Sequence, residues 1–222
     1  MIRPHTLFLD VNETLLDLSP LKISVGKALG NREDLLPYWF SVMLHYSLVA
    51  SAMDQFEDFG TIGMAALQMV ARNLDIDLEE AEARAAVRPI LQLKPYPDVL
   101  PALEEIRGAG IQLYALTNSS RIGVRSQMEY AGLDKVLHGW FSVEEIAIYK
   151  PHQHVYRWAA LQVGVRIEDC MMAAAHGWDV AGAMAAGMRA AFIERPGQQL
   201  YPLATRPEVV VSDFQALVRV LI

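Results

Sequence analysis

A chain of 222 residues with 53% hydrophobic and 20% charged residues can bury one sizeable core, or a core with a smaller appended unit. That balance excludes a disordered chain. The net charge is −7, and no run of Lys or Arg forms a basic stripe, which argues against a nucleic-acid partner. An acidic chain does not draw anions by itself, so any anion site must be built locally.

Cys170 is the single cysteine, which excludes an intrachain disulfide. Its apolar setting marks a small buried hydrophobe rather than a nucleophile. The N-terminal apolar stretch is too short for a signal peptide. The longest apolar region, 38–53, carries Ser41, His45, Ser47 and Ser51 and is too short and polar to span a bilayer comfortably. A cytoplasmic, soluble protein without membrane association is expected.

In chain order, 6–10 is a short apolar run ending in an acid, which predicts a buried strand with Asp10 at its C-terminal end. Four helical patterns follow without an intervening strand, over 19–29, 32–52, 61–74 and 78–93. The last opens on Asp77-Leu-Glu-Glu, a capping residue and first-turn acids. Lys94-Pro-Tyr-Pro punctuates the chain. Beyond it the pattern alternates: helix 98–109, strand 111–117, helix 121–131, strand 140–142, helix 153–163, strand 170–174, helix 180–186 and strand 190–193. A strand at 209–211 and a helix at 213–221 close the chain. Such alternation predicts an α/β core with a parallel sheet. The expected division is a core of 1–15 and 96–222 with an inserted helical cap of 16–95.

Ligands of such sheets bind at the carboxyl ends of the strands. Asp10 to Thr14, Thr117 to Ser119 and Ala174 to Asp179 all fall there, with Lys150 in the same half. Buried strand ends have no need of so many polar residues, so the clusters mark a candidate site. Isolated members have plainer explanations: Asp10 could cap the next helix, Lys150 could be a solvated lysine, Thr117 and Asn118 could cap helices, and Tyr156 could simply pack.

The motifs Asp10-Val-Asn-Glu-Thr14, Leu116-Thr117-Asn118, Tyr149-Lys150-Pro151 and Ala175-His176-Gly177-Trp178-Asp179 occur in this order. Together they resemble the haloacid dehalogenase superfamily across the whole chain, and the helical insert matches that family's cap in position. Tyr-Lys-Pro, Tyr156 six residues after Lys150, and Gly-Trp-Asp favour the type II 2-haloacid dehalogenase branch.

The resemblance implies a HAD-like Rossmannoid core that hydrolyses short (S)-2-haloacids to (R)-2-hydroxy acids. Asp10 would displace halide from carbon 2 and form an ester, which water then hydrolyses. Lys150 would keep Asp10 ionised and ease the approach of an anionic 2-haloalkanoate. Thr14 would orient Asp10, with Asp179 as a supporting acid near Lys150 or Thr14. Thr117 and nearby backbone amides would hold the substrate carboxylate, and Asn118 would face the halide. Val11, Asn12 and Tyr156 are further candidate substrate contacts. Trp39, Phe40, Tyr46, Phe59 and Trp178 would wall an apolar pocket. No cofactor or metal is expected, and a homodimer fits the relatives.

Superfamily phosphatases carry a second Asp where this chain has Asn12, and an additional Mg²⁺ acid where it has Ala175. Halide needs no proton to leave, so both departures argue against phosphoryl transfer. Three residues depart from the type II pattern: Phe40 replaces the expected arginine, His176 stands where many relatives have Asn, and Glu13 replaces the Tyr-Gly or Asp-Gly common there. His176 is expected to be the base for the ester-hydrolysing water, with Glu13 orienting or charging it. The rival readings are a phosphatase, a hydrolase of another electrophile and a non-catalytic binding protein.

Overall fold

The computed structural model describes residues 3–222. Strand β1 (Thr6–Leu9) is followed by four helices, α1 (Ser19–Ala28), α2 (Leu36–Ala52), α3 (Phe59–Arg72) and α4 (Glu80–Val87). The chain continues as α5 (Val99–Gly108), β2 (Gln112–Thr117), α6 (Arg121–Ala131), β3 (Gly139–Ser142), α7 (Gln153–Gln162), β4 (Cys170–Ala174), α8 (Gly177–Ala185), β5 (Arg189–Ile193), β6 (Val209–Val211) and α9 (Phe214–Leu221). The strands form one parallel sheet in the order β3-β2-β1-β4-β5-β6. This is the α/β class that the alternating pattern predicts.

Strand β1 is buried along its whole length, as a strand covered on both faces requires. It lies between β2 and β4, where the strand order reverses. A crevice opens at the carboxyl ends of strands at such a switch point. Asp10, Asn118 and Ala175 each follow directly on one of these three strands.

Helices α1 to α4 pack among themselves, α2 on α3 and α4 on both α1 and α3. The two chain segments joining them to the sheet run side by side: Leu16 bridges Pro95, and the amides of Asp17 and Tyr96 donate to the carbonyls of Lys94 and Leu15.

The helix ends follow local chemistry. Asp58 caps α3 by accepting from the amides of Gly60 and Thr61. Ser120 caps α6, which closes on Gly132 in the left-handed region at φ 71°. Several predicted boundaries shift. The cap of α4 is Glu79, in a box with Glu82, rather than Asp77. The pattern over 78–93 leaves the α-helix after Val87 and continues as a 3-10 turn, Arg88–Gln92, with a proline in its first turn. Helix α2 is likewise preceded by a 3-10 turn, Glu33–Leu35, and has its own proline in its first turn. In α2 the proline, which lacks an N–H donor, falls where an orphan donor would otherwise stand, whereas Pro89 removes a donor from the continuing ladder and ends the α-helix. Helix α8 begins at Gly177, three residues before its periodic apolar face.

Gly182 of α8 permits a tight approach to the segment carrying Lys150. A Cβ there would stand 2.4 Å from Pro151 Cβ and 2.8 Å from both Pro151 O and Tyr156 Oη. Gly182→Ala is therefore expected to destabilise the protein by about 1–3 kcal/mol through overpacking. Urea unfolding measures this directly, and an unchanged midpoint would contradict the tight contact.

Candidate active site

Asp10 is 5% exposed, at the centre of the sheet's carboxyl edge. Its Oδ1 accepts from Lys150 Nζ at 2.9 Å. Its Oδ2 accepts from Thr14 Oγ1 at 2.6 Å and lies 2.9 Å from His176 Nδ1. The short turn after β1 carries Thr14 back toward Asp10, and Thr14 Oγ1 also accepts from the Ala175 amide at 2.9 Å. Thr14 thus joins the ends of β1 and β4. Val11 is fully buried in the hydrophobic core.

Lys150 is 1% exposed, which excludes the solvated-lysine explanation. Its ammonium donates to Asp10 Oδ1, to Leu116 O at 2.8 Å and to Asp179 Oδ2 at 2.6 Å. An ammonium has three protons, and here each has an acceptor. Behind it, Tyr156 donates to Asp179 Oδ1 at 2.6 Å. Tyr156 therefore supports the acid behind Lys150. The adjacent Tyr149 reaches across to the helical insert, its hydroxyl donating to Glu57 O and its amide to Ser51 Oγ.

His176 precedes α8 and is 4% exposed. Its Nε2 lies 2.9 Å from Glu13 Oε2. Glu13 holds a left-handed backbone conformation at φ 60°, and its amide donates to Leu16 O. A non-glycine residue there stores about 1–3 kcal/mol, a cost most often met at functional sites. Phe40 stacks near-parallel to the His176 ring, with centroids 6.2 Å apart, and Trp178 does so at 5.1 Å. Phe40 brings a ring of α2 against His176. Both rings lie against His176.

Trp39 and Phe59 do line an apolar cavity of about 60 Å³ between the helical insert and Ser119, Gly123 and Gln127. Trp39 is also tied into the insert, its indole N–H donating to Gly63 O. Tyr46 faces an outer groove with Tyr38, His45 and Asn73, so its placement in the pocket is corrected.

Asn118 is fixed by its Oδ1, which accepts from the Lys150 amide at 3.1 Å. Among the described residues, its Nδ2 is the one buried side-chain donor without a partner. Thr117 Oγ1 accepts from the Ser119 amide, a local turn contact. Asn12 donates to Ser119 Oγ and accepts from Gln127 Nε2. His152 and His154 are exposed at the start of α7, away from these groups.

Three contributors receive no individual role from the sequence. Ser119 belongs to the strand-end cluster but had no evident partner. Gln127 is a lone buried polar residue on α6, detectable only as a break in that helix's apolar face. Arg195 is the third. Two residues past β5, its guanidinium donates twice to Thr14 O and once to Asp98 Oδ1, and stacks 4.0 Å over Tyr96. Its position beyond a strand's carboxyl end was the available signal.

The electrostatics follow from burial and pairing. Burial alone would raise Asp10, but Lys150 and His176 outweigh it by charge and hydrogen bonds and hold the carboxyl well below its usual range. Burial disfavours charged Lys150, yet Asp10 and Asp179 outweigh it and keep the ammonium. Burial raises Asp179, opposed by Lys150. For His176, burial is again overcome: Asp10 and Glu13 push the imidazole up to about 10.

The fold and site define a parallel α/β protein with a helical insert after its first strand and a buried carboxylate–lysine–histidine centre at its switch point. The model of the haloacid dehalogenase-like hydrolase family matches residues 4–187. The chain belongs to that family of hydrolases. It is 27% identical over 213 residues to (S)-2-haloacid dehalogenase 2 of Pseudomonas sp. (strain CBS-3), covering 96% of this chain and 93% of that one. It is 27% identical over 192 residues to haloacetate dehalogenase H-2 of Moraxella sp. (strain B), covering 86% of each. L-2-haloacid dehalogenase from Xanthobacter autotrophicus, solved with chloropropionic acid covalently bound, has the same fold, with a TM-score of 0.92, 21% identity and 98% of each chain covered.

The pairing of His176 has a consequence for stability. A group that binds its proton more tightly when folded stabilises the fold fully below its unfolded value, near 6.5, and loses that contribution as pH rises through about 10. Asp10 acts in the opposite sense, contributing above about 3.8 and losing its contribution as pH falls through its depressed value. Between pH 7 and 10, wild-type stability should therefore fall more steeply than that of His176→Asn. Urea unfolding at both pH values measures the two slopes, and equal slopes would contradict the pairing.

Proposed function

We propose that this protein hydrolyses the carbon–halogen bond of short (S)-2-haloalkanoates, giving (R)-2-hydroxy acids through an ester on Asp10, with 16–95 acting as a cap over the core. The observation that carries this reading is Asp10 itself: a buried, ionised carboxylate aimed by Thr14 and charge-balanced by Lys150. The curated 2-haloacid dehalogenase relative, which aligns over nearly the whole chain, supports the substrate class.

Oδ2 already meets two donors, Thr14 and His176, whereas Oδ1 meets Lys150 alone. Oδ1 is thus the better nucleophile. It attacks carbon 2 and the halogen leaves with the bonding pair as halide. Asn118 Nδ2 supplies an unspent hydrogen bond to the anionic end of the substrate or to the departing halide. The apolar cavity beside Ser119 suits a short alkyl substituent.

Water then attacks Asp10 Cγ. His176, held by Glu13 through Nε2, takes the water proton at Nδ1. Thr14 donates to the oxyanion that develops on Oδ2. The Cγ–Oδ1 bond breaks and the hydroxy acid leaves with Oδ1 as its new hydroxyl oxygen.

The same residues disfavour phosphoryl transfer. Asn12 has no carboxylic proton for an alkoxide, and its amide is already engaged by Ser119 and Gln127. Between Asp10 and Asp179, at hydrogen-bonding distance from both, sits an ammonium.

His176→Asn should slow ester hydrolysis by about 10²–10⁴-fold. With (S)-2-chloropropionate, intact-mass analysis should show an Asp10 adduct, and a single wild-type turnover in ¹⁸O water should label Asp10 rather than the product. Label in the first-turnover product, or no adduct together with wild-type turnover, would overturn the ester route and its base.

A further inference from the structure

The two ring nitrogens of His176 both face carboxylates, Nδ1 at 2.9 Å from Asp10 Oδ2 and Nε2 at 2.9 Å from Glu13 Oε2. A carboxylate offers only lone pairs. A neutral imidazole has one N–H and one lone pair, so either tautomer would set one nitrogen lone pair against an oxygen. Both contacts are satisfied only when both nitrogens carry protons. Trp178 lies near-parallel to this ring with centroids 5.1 Å apart, close enough for its face to favour a cation.

The charges facing the site point the same way. Asp10 and Glu13 come from the end of β1 and its following turn, Asp179 from α8, and Lys150 from the segment before α7. Helix α2 contributes Phe40, which is uncharged. Farther out, the Arg195 guanidinium on Thr14 O is balanced by Asp98, so with His176 neutral an anionic substrate would meet the carboxylates of Asp10, Glu13 and Asp179 against the one ammonium of Lys150.

We propose that His176 begins each cycle as an imidazolium, the second cation of the site, and becomes the general base only after Asp10 has been esterified. This rests on the ester mechanism above and adds a charge role in its first half. The elevated titration of His176 agrees with it, since Asp10 and Glu13 outweigh the burial that disfavours the charge.

In the first half, Oδ1 bonds to carbon 2, the carbon–halogen bond breaks, and halide departs while His176 keeps both protons. Asp10 is now a neutral ester, so Nδ1 faces a weakly accepting carbonyl oxygen and loses its largest support. Its proton passes to solvent, the one acid equivalent that accompanies each halide. Neutral His176, its Nε2–H held by Glu13, then accepts a proton from the attacking water. That proton passes to the departing alkoxide oxygen, and the second water proton returns from the regenerated Asp10 carboxyl to Nδ1. The imidazolium–carboxylate pair is restored.

Two measurements test this. Histidine-specific ¹⁵N NMR of the resting wild type at pH 8 should place both His176 nitrogens at protonated shifts. Rapid-quench halide release should separate charge from base. His176→Asn should slow the halide burst about tenfold or more and stall as the ester. His176→Lys, which restores a cation without a base, should recover most of the burst and still stall. An unprotonated ring nitrogen in the resting enzyme, or a wild-type burst rate in His176→Asn, would overturn the proposal. In the second case a stalled ester leaves the base assignment intact, whereas full turnover by His176→Asn would remove that assignment as well.

Discussion

The structure is organised around the buried charge of Asp10. Asp10 lies at the middle of the sheet with almost no access to water, and an unpaired carboxylate there would cost several kcal/mol. Its partners come from far along the chain, Lys150 at a separation of 140 residues and His176 at 166. Placing β1 between β2 and β4 is what makes both reachable. Lys150 draws its remaining acceptors from the end of β2 and from α8, while His176 stands at the end of β4. The sheet order and the charge pairing are therefore one constraint seen at two scales.

The same constraint extends outward. Arg195 fixes the Thr14 carbonyl and stacks on Tyr96, so the loop after β5 grips both chain segments that lead to the helical insert. Tyr149 binds the insert next to Lys150, and Phe40 lays a ring from α2 against His176. Groups that handle charge and groups that join insert to core are thus neighbours in sequence or in contact. Asp10 is 5% exposed, and so little water around it strengthens the electrostatic effects there.

Much of this was legible in the sequence. Apolar runs ending in Asp10, Thr117 and Ala174 place the polar clusters at strand ends, and chain order places those ends on one edge. Spacing alone does not give the third dimension. Tyr156 could as well have faced Lys150 as Asp179, and only the packing of α7 on α8 decides it. Gln127 and Arg195 belong to no local motif, because their partners, Asn12 and Thr14, are 115 and 181 residues away. Helix ends moved where proline and capping side chains, rather than apolar periodicity, set the boundary. The pairing of Glu13 with His176 was anticipated because both sat at the same edge. The left-handed backbone that directs Glu13 there had no sequence signal beyond the unusual residue itself.

The most direct measurement is halide release from (S)-2-chloropropionate with a chelator present, comparing wild type with Asp10→Asn. The account predicts release by the wild type, unaffected by the chelator, and none by the variant. Release by Asp10→Asn at the wild-type rate, or wild-type silence together with chelator-sensitive release of phosphate from a small phosphate ester, would contradict it.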